Sequence, residues 1–216
     1  MASKPIIYKL ILVGNTSVGK TSLFKKIISD EFSERNMATI GVDRTTLYSD
    51  IEIKIKKKTE KHNFEIHLYD SAGQEQFRSI TKSYFKQSDG ILLLYDVTKR
   101  ESFEQIKMWL DSLEESLGEN NNSQYVVILL GNKIDLIDKK GNKEVSEEEA
   151  IEKCQESNFI WGGEISAKTF SKEELINKIN IFIKELYKRL GPKKTGKQIS
   201  KKLDEKKKKK KSCFFL

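Results

Sequence analysis

Residues 6–21 read Ile6-Ile7-Tyr8-Lys9-Leu10-Ile11-Leu12-Val13-Gly14-Asn15-Thr16-Ser17-Val18-Gly19-Lys20-Thr21. The first eight form a short, mostly apolar run rich in Ile, Leu and Val, the pattern of a buried strand. The next eight match G-x-x-x-x-G-K-[ST], and Lys20–Ser29 continues with helical character. Strand, glycine loop and helix in that order form a cradle for a polyphosphate. Gly14 and Gly19 let the backbone pass close to the oxygens, while successive N–H groups from Ser17 and Val18 to the first helical turn at Ser22 point at the negative charge. Lys20 neutralises the β and γ charges, and the Thr21 hydroxyl is a ligand for Mg²⁺.

Working outward, the runs Ile51–Ile55, Phe64–Tyr69, Ile91–Val97, Tyr125–Leu130 and Phe159–Ile165 read as further strands. They alternate with helical segments at about Arg78–Gln87, Glu101–Leu117, Ser146–Ser157 and Ser171–Leu190. In the last of these, Leu175, Ile176, Ile179, Phe182, Ile183 and Leu186 recur at helical spacing, and Ser146/Glu149 and Ser171/Glu174 are expected capping boxes. Repeated strand–helix order predicts an α/β fold, a mostly parallel six-stranded sheet with helices on both faces, whose ligands bind at the carboxyl ends of the strands. Residues 1–190 form the predicted domain; Gly191-Pro192 ends its last helix, and 191–216 is too polar to build a core.

Motifs do follow the predicted strands. Asp70-Ser71-Ala72-Gly73-Gln74 ends the third: Asp70 can hold the metal through water, and Gly73 leaves its N–H free for a γ-phosphate. By itself an Asp before a turn is a cap; beside a phosphate loop it becomes a metal residue. Asn132-Lys133-Ile134-Asp135 follows the fifth, and a buried Asp135 can accept from the N1–H and 2-amino group of guanine, which adenine cannot supply. Ser166-Ala167-Lys168 follows the sixth and closes over the base.

Charge separates the two parts of the chain. The net +8 arises in the end segment, where eleven lysines face only Asp204 and Glu205, so residues 1–190 are near neutral. A detachable basic tail suits anionic lipid, whereas a nucleic-acid module carries its basic surface on the fold; no nucleic-acid partner is expected. Lys206–Lys211 precedes Ser212 and Cys213-Phe214-Phe215-Leu216, a C-a-a-X ending whose terminal Leu points to geranylgeranylation of Cys213. One prenyl chain holds a membrane weakly, and the six lysines supply the second signal. Cys154 and Cys213 are the only cysteines and form no disulfide framework; Cys154 reads as a buried structural thiol, and His62 and His67 have no metal-ligand spacing. No signal peptide or spanning run is recognised, which places the chain in the cytosol or on the cytoplasmic face of an internal or plasma membrane.

Taken together, these motifs resemble the Ras superfamily of small GTPases over residues 6–190, and most closely the Rab family. The Rab-like stretches are Thr39-Ile40-Gly41-Val42-Asp43, Ala72-Gly73-Gln74-Glu75-Gln76-Phe77 and Leu94-Tyr95-Asp96-Val97-Thr98. The resemblance implies the small G-protein fold of the P-loop NTPase type, GTP/GDP as ligand, Mg²⁺ as cofactor and slow GTP hydrolysis. It makes Thr39 a switch residue reaching both Mg²⁺ and the γ-phosphate, lays Phe32 against the guanine, and has Gln74 orient the attacking water. Ile40, Gly41, Val42, Asp43 and Phe77 would face effectors, with an aromatic trio drawn from Tyr69, Phe77 and Phe85. Implied partners are an exchange factor, an activating protein, effectors and a dissociation inhibitor or prenyl-binding chaperone, all meeting a monomer engaged in vesicle traffic.

Departures from the pattern are Thr16 and Ser17 in the loop, Arg44 for the usual Phe, Tyr69 for the usual Trp, a longer hairpin loop at Lys56–His62, and one terminal cysteine instead of a pair. That ending is commoner among Ras-like signalling switches, which is one alternative; a GTP-binding module with negligible hydrolysis, against which Gln74 argues but which Thr16 keeps open, is another. A nucleotide kinase would need an Arg-rich lid, and the five arginines Arg35, Arg44, Arg78, Arg100 and Arg189 are scattered.

Overall fold

The computed structural model describes residues 4–33, 39, 41–55, 58–71, 83–117, 125–137 and 141–192. Six strands make one sheet: β1 Ile6–Val13, β2 Val42–Ile55, β3 Lys58–Ser71, β4 Gly90–Asp96, β5 Val126–Asn132 and β6 Ile160–Glu164. Their order is β2-β3-β1-β4-β5-β6, with every neighbouring pair parallel except the β2–β3 hairpin at one edge. The central strands β4 and β5 are buried along their whole length, as expected of strands covered on both faces. The order turns outward from β1 in both directions, which opens a crevice beyond its carboxyl end, where the glycine loop begins.

Among the described residues five α-helices cover the sheet: α1 Lys20–Ser29, α2 Arg100–Glu104, α3 Ile106–Leu117, α4 Glu147–Glu156 and α5 Lys172–Leu190. On one face α1 and α5 pack Leu23, Ile27, Ile179 and Ile183 against Leu10, Leu12, Ile66 and Leu92. On the other, α2, α3 and α4 place Phe103, Trp109, Leu113, Ala150 and Cys154 over Ile11, Leu93 and Leu129. Alternation along each strand feeds the two cores in turn. Cys154 is buried, and its surroundings push the thiol up to about 11, consistent with a structural role.

Four details depart from the expectations. The stretch Lys56–His62 is not a longer loop: the β2–β3 ladder continues to Ile55 opposite Lys58, so residues 58–62 extend the strand. The same ladder carries β2 back to Val42, through Asp43, Arg44, Ser49 and Asp50; an edge strand with one solvated face needs backbone pairing more than an apolar pattern. The segment 101–117 is two helices meeting at Gln105 (φ −75°, ψ −1°). Of the two capping boxes only Ser171/Glu174 is complete. Ser146 caps the Glu149 N–H, but the Glu149 carboxylate is taken by Arg100. Residues 83–85 are helical, and the rest of the expected Arg78–Gln87 helix lies almost wholly outside the described residues.

The register of α5 gives a direct test. Ile183 is fully buried, while Ile181, two residues earlier, is 56% exposed. Ile183→Ala is expected to cost about 3 kcal/mol in urea denaturation at fixed GDP, through lost burial and a cavity. Ile181→Ala should stay within about 0.5 kcal/mol.

Candidate nucleotide-binding site

The loop after β1 owes its shape to two glycines that no other residue could replace. A Cβ on Gly14 (φ 139°) would stand 2.3 Å from the Leu94 carbonyl oxygen, and one on Gly19 (φ 98°) would stand 2.3 Å from Asn132 Nδ2. Gly19 also begins α1 with no side-chain cap, so the helix presents its N-terminus to the loop's concavity. Lys20, 5% exposed, folds back to donate from Nζ to the carbonyls of Gly14 and Asn15, each at 2.7 Å. Burial lowers its ammonium to about 8, with nearby Asp70 opposing the shift. A cation buried against carbonyls is stabilised further by any anion placed in the loop.

Thr21, on the first turn of α1, joins three separate parts of the chain. Its Oγ1 donates to Asp70 Oδ2 at 2.7 Å and lies 2.7 Å from Thr39 Oγ1. Asp70 is fully buried near the end of β3, opposite Asp43 of β2, and burial raises its carboxyl to about 6. Its Oδ1 has no hydrogen-bond partner among the described residues. Two hydroxyls beside a buried carboxylate with an unused oxygen form the hard oxygen set that suits Mg²⁺, and such a cation would hold Asp70 ionised.

Base-side loops converge on Asn132, at the carboxyl end of β5 and 1% exposed. Its Nδ2 donates to the Val18 carbonyl at 2.8 Å and its Oδ1 accepts from the Ala167 N–H at 3.1 Å, tying the phosphate loop to the 166–168 loop. Ser166 donates to Asp135 Oδ1 at 2.5 Å and accepts from the N–H groups of Lys168 and Thr169, which fixes the carboxylate's orientation. Lys133 adopts a left-handed conformation (φ 74°), and its Nζ lies 2.7 Å from Asp96 Oδ2. Phe32 is 36% exposed, with Lys168 Nζ 5.8 Å from its ring centroid.

Asp96, named above only within the Rab-like stretch 94–98 and given no site role, ends β4. It is 1% exposed, accepts from the N–H and hydroxyl of Thr98, and anchors Lys133. Sequence reasoning also missed the contact of Asn15 with α3, because Trp109 is 94 residues away.

Gly41, Val42 and Asp43 lead into β2, with Val42 opposite Ser71 and Asp43 exposed. Ile40, Gly73, Gln74, Phe77 and Cys213 lie outside the described residues. The expected aromatic trio needs correction: Phe85 is 2% exposed and belongs to the core, and the ring beside Tyr69 is that of Tyr84, at 5.4 Å between centroids.

This arrangement agrees with comparisons to known proteins. A model of the Ras family matches residues 9–188. The chain is 33% identical over 181 residues to "Ras-related protein RABA4b" of Arabidopsis thaliana, covering 84% of this chain and 73% of that protein. It is 36% identical over 177 residues to "Ras-related protein Rab-18-B" of Danio rerio, covering 79% and 78%. A 130-residue match, also 36% identical, to human "EF-hand calcium-binding domain-containing protein 4B" covers 60% of this chain and 16% of that much longer protein. A family model that matches residues 9–188 of this chain and Rab-related relatives at 33–36% identity, on a sheet of this order, place the chain in the Ras family as a Rab-like small GTPase.

Proposed function

We propose that this GTPase is a membrane-anchored switch of Rab type that regulates vesicle traffic. Its domain, residues 1–190, would hold GTP or GDP, and its tail, 191–216, would carry a prenyl group on Cys213. The observation that carries the switch is the contact of Thr39 with Thr21, itself bonded to Asp70. A residue from the segment before β2 reaches the metal cluster, so whatever occupies the cluster can bias that segment.

In this reading Gly14, Ser17, Val18, Gly19, Lys20, Thr21 and Ser22 bind the phosphates. Thr21, Thr39 and, through water, Asp70 would hold Mg²⁺, which would supply positive charge against the developing negative charge of the phosphates. Asp135 accepts from the guanine edge, Asn132, Ser166 and Ala167 keep its loop in place, and Lys133, Lys168 and Phe32 flank the base. Gln74 orients a water that attacks the γ-phosphorus as the bond to the β-phosphate's bridging oxygen breaks, releasing phosphate. Thr39 and Gly73 offer N–H groups to the γ-phosphate and relax once it leaves, which alters the effector face at Ile40, Gly41, Val42, Asp43 and Phe77.

Among the described arginines none is poised to assist: Arg44 is exposed on the edge strand, Arg189 is in the last turn of α5, and Arg100 is bound to Glu144 and Glu149. In this reading turnover is slow on its own, and an activating protein supplies positive charge at the transferring phosphate. An exchange factor, effectors and a dissociation inhibitor or prenyl-binding chaperone complete the cycle. The Rab names of two relatives support traffic as the process.

Gln74→Leu in the full chain should slow single-turnover conversion of bound GTP by about tenfold or more, since water positioning is lost. Undiminished turnover, intrinsic and stimulated, would remove Gln74 from the mechanism. Cys213→Ser should shift the protein from the membrane to the soluble fraction of cells, because the basic run alone is a partial anchor. Unchanged membrane association would overturn the lipid assignment.

A further inference from the structure

Within the glycine loop, the side chain of Asn15 is gripped from the α2–α3 junction. Its Oδ1 accepts from the Trp109 indole N–H at 2.7 Å, and its Nδ2 donates to Gln105 Oε1. Gln105 Nε2 in turn donates to Glu101 Oε1 at 2.9 Å. Indole can only donate and an ionised carboxylate can only accept, so one orientation of both amides satisfies the chain from Trp109 to Glu101. Trp109 is 3% exposed and packs in the same core as Val13, Leu93 and Leu113, which makes its N–H a fixed point. The backbone of Asn15 does a second job, since its carbonyl accepts from Lys20 Nζ. Thus the peptide that aims the buried lysine is held by the side chain of the same residue. Asn132 restrains the other half of the loop through Val18.

We infer that Trp109 and Gln105 are positioning residues for the bound nucleotide, acting through Asn15 to hold the first half of the phosphate loop in the shape that directs Lys20. This rests on the reading that residues 14–21 bind the phosphates. Trp109→Phe keeps the aromatic packing and removes the donor, leaving Asn15 Oδ1 short of a partner. The gripped loop is the bound shape, so losing the grip lowers nucleotide retention by the fraction of time the loop leaves that shape.

The test uses the full-length protein loaded with a fluorescent GDP and chased with excess GDP in Mg²⁺, following release. Trp109→Phe and Asn15→Ala should each release GDP about five- to tenfold faster, the size expected of one net hydrogen bond. The double variant should be no faster than the faster single, because both break one link. Leu113→Ala, which loosens the same core, should lower thermal stability with less than about a twofold change in release, as expected for a distant cavity. Multiplicative effects in the double variant, or release that tracks thermal stability across all variants, would reduce Trp109 to packing and overturn the inference. Wild-type release from both single variants would overturn it too. Lys20→Ala separates the premise: if it also retains GDP like the wild type, the phosphate-loop reading itself fails, whereas loss of GDP in Lys20→Ala alone leaves that reading standing without the clamp.

Discussion

The buried amide of Asn132 is the constraint on which the site depends. One side chain at the end of β5 holds Val18 of the loop after β1 and Ala167 of the loop after β6, so three loops from three strands share one fixed point. The amide stands so close to Gly19 that position 19 admits no side chain, and the glycine in turn opens α1 without a cap. Fully satisfied, a buried amide of this kind rigidifies its neighbours; with one partner removed it becomes a cost. The phosphate side and the base side of the pocket therefore cannot drift independently.

Around this fixed point the molecule stores unfavourable electrostatics. Lys20 is buried against carbonyls with its ammonium lowered to about 8, and Asp70 is buried with its carboxyl raised to about 6. Neither arrangement stabilises the bare fold, since both charges have left water. Both would be relieved by a polyphosphate with a divalent cation, the anion at the lysine and the cation at the carboxylate oxygen that has no partner among the described residues. In the proposed reading the fold is complementary to a charged pair of ligands, and its stability would be linked to them.

Rigid and switchable parts divide along the sheet. β4 and β5 are buried throughout and carry Asp96 and Asn132 at their ends, where movement would break the core. β2 is an edge strand paired on one side only, and Thr39 lies just before it. An edge strand paired on one side only costs fewer backbone contacts to shift than a central strand does.

Much of this was legible before any coordinates. The run from Ile6 to Thr21 announced strand, phosphate loop and helix, because close approach to a polyanion restricts which residues can stand at each place. Asp70 and Asn132 stood out because polar residues that close apolar strands are expensive to bury, and both are buried. Less legible were the polar half of β2, which is held by backbone pairing, and the extension of β3 through residues 58–62, which the sequence presented as a loop. The wrong aromatic partner for Tyr69 came from adjacency: Tyr84 and Phe85 are neighbours in the chain, and only the packing decided which one enters the core. The sequence by itself determined the fold class, the loop chemistry and the base-side motifs, since these depend on local spacing and residue type. Tertiary structure alone decided that Asp96 would anchor Lys133, that Trp109 would reach Asn15 across 94 positions, and that Asn132 would bind three loops into one site, because those contacts join strand ends that are distant in the chain and meet only when the sheet is ordered β2-β3-β1-β4-β5-β6.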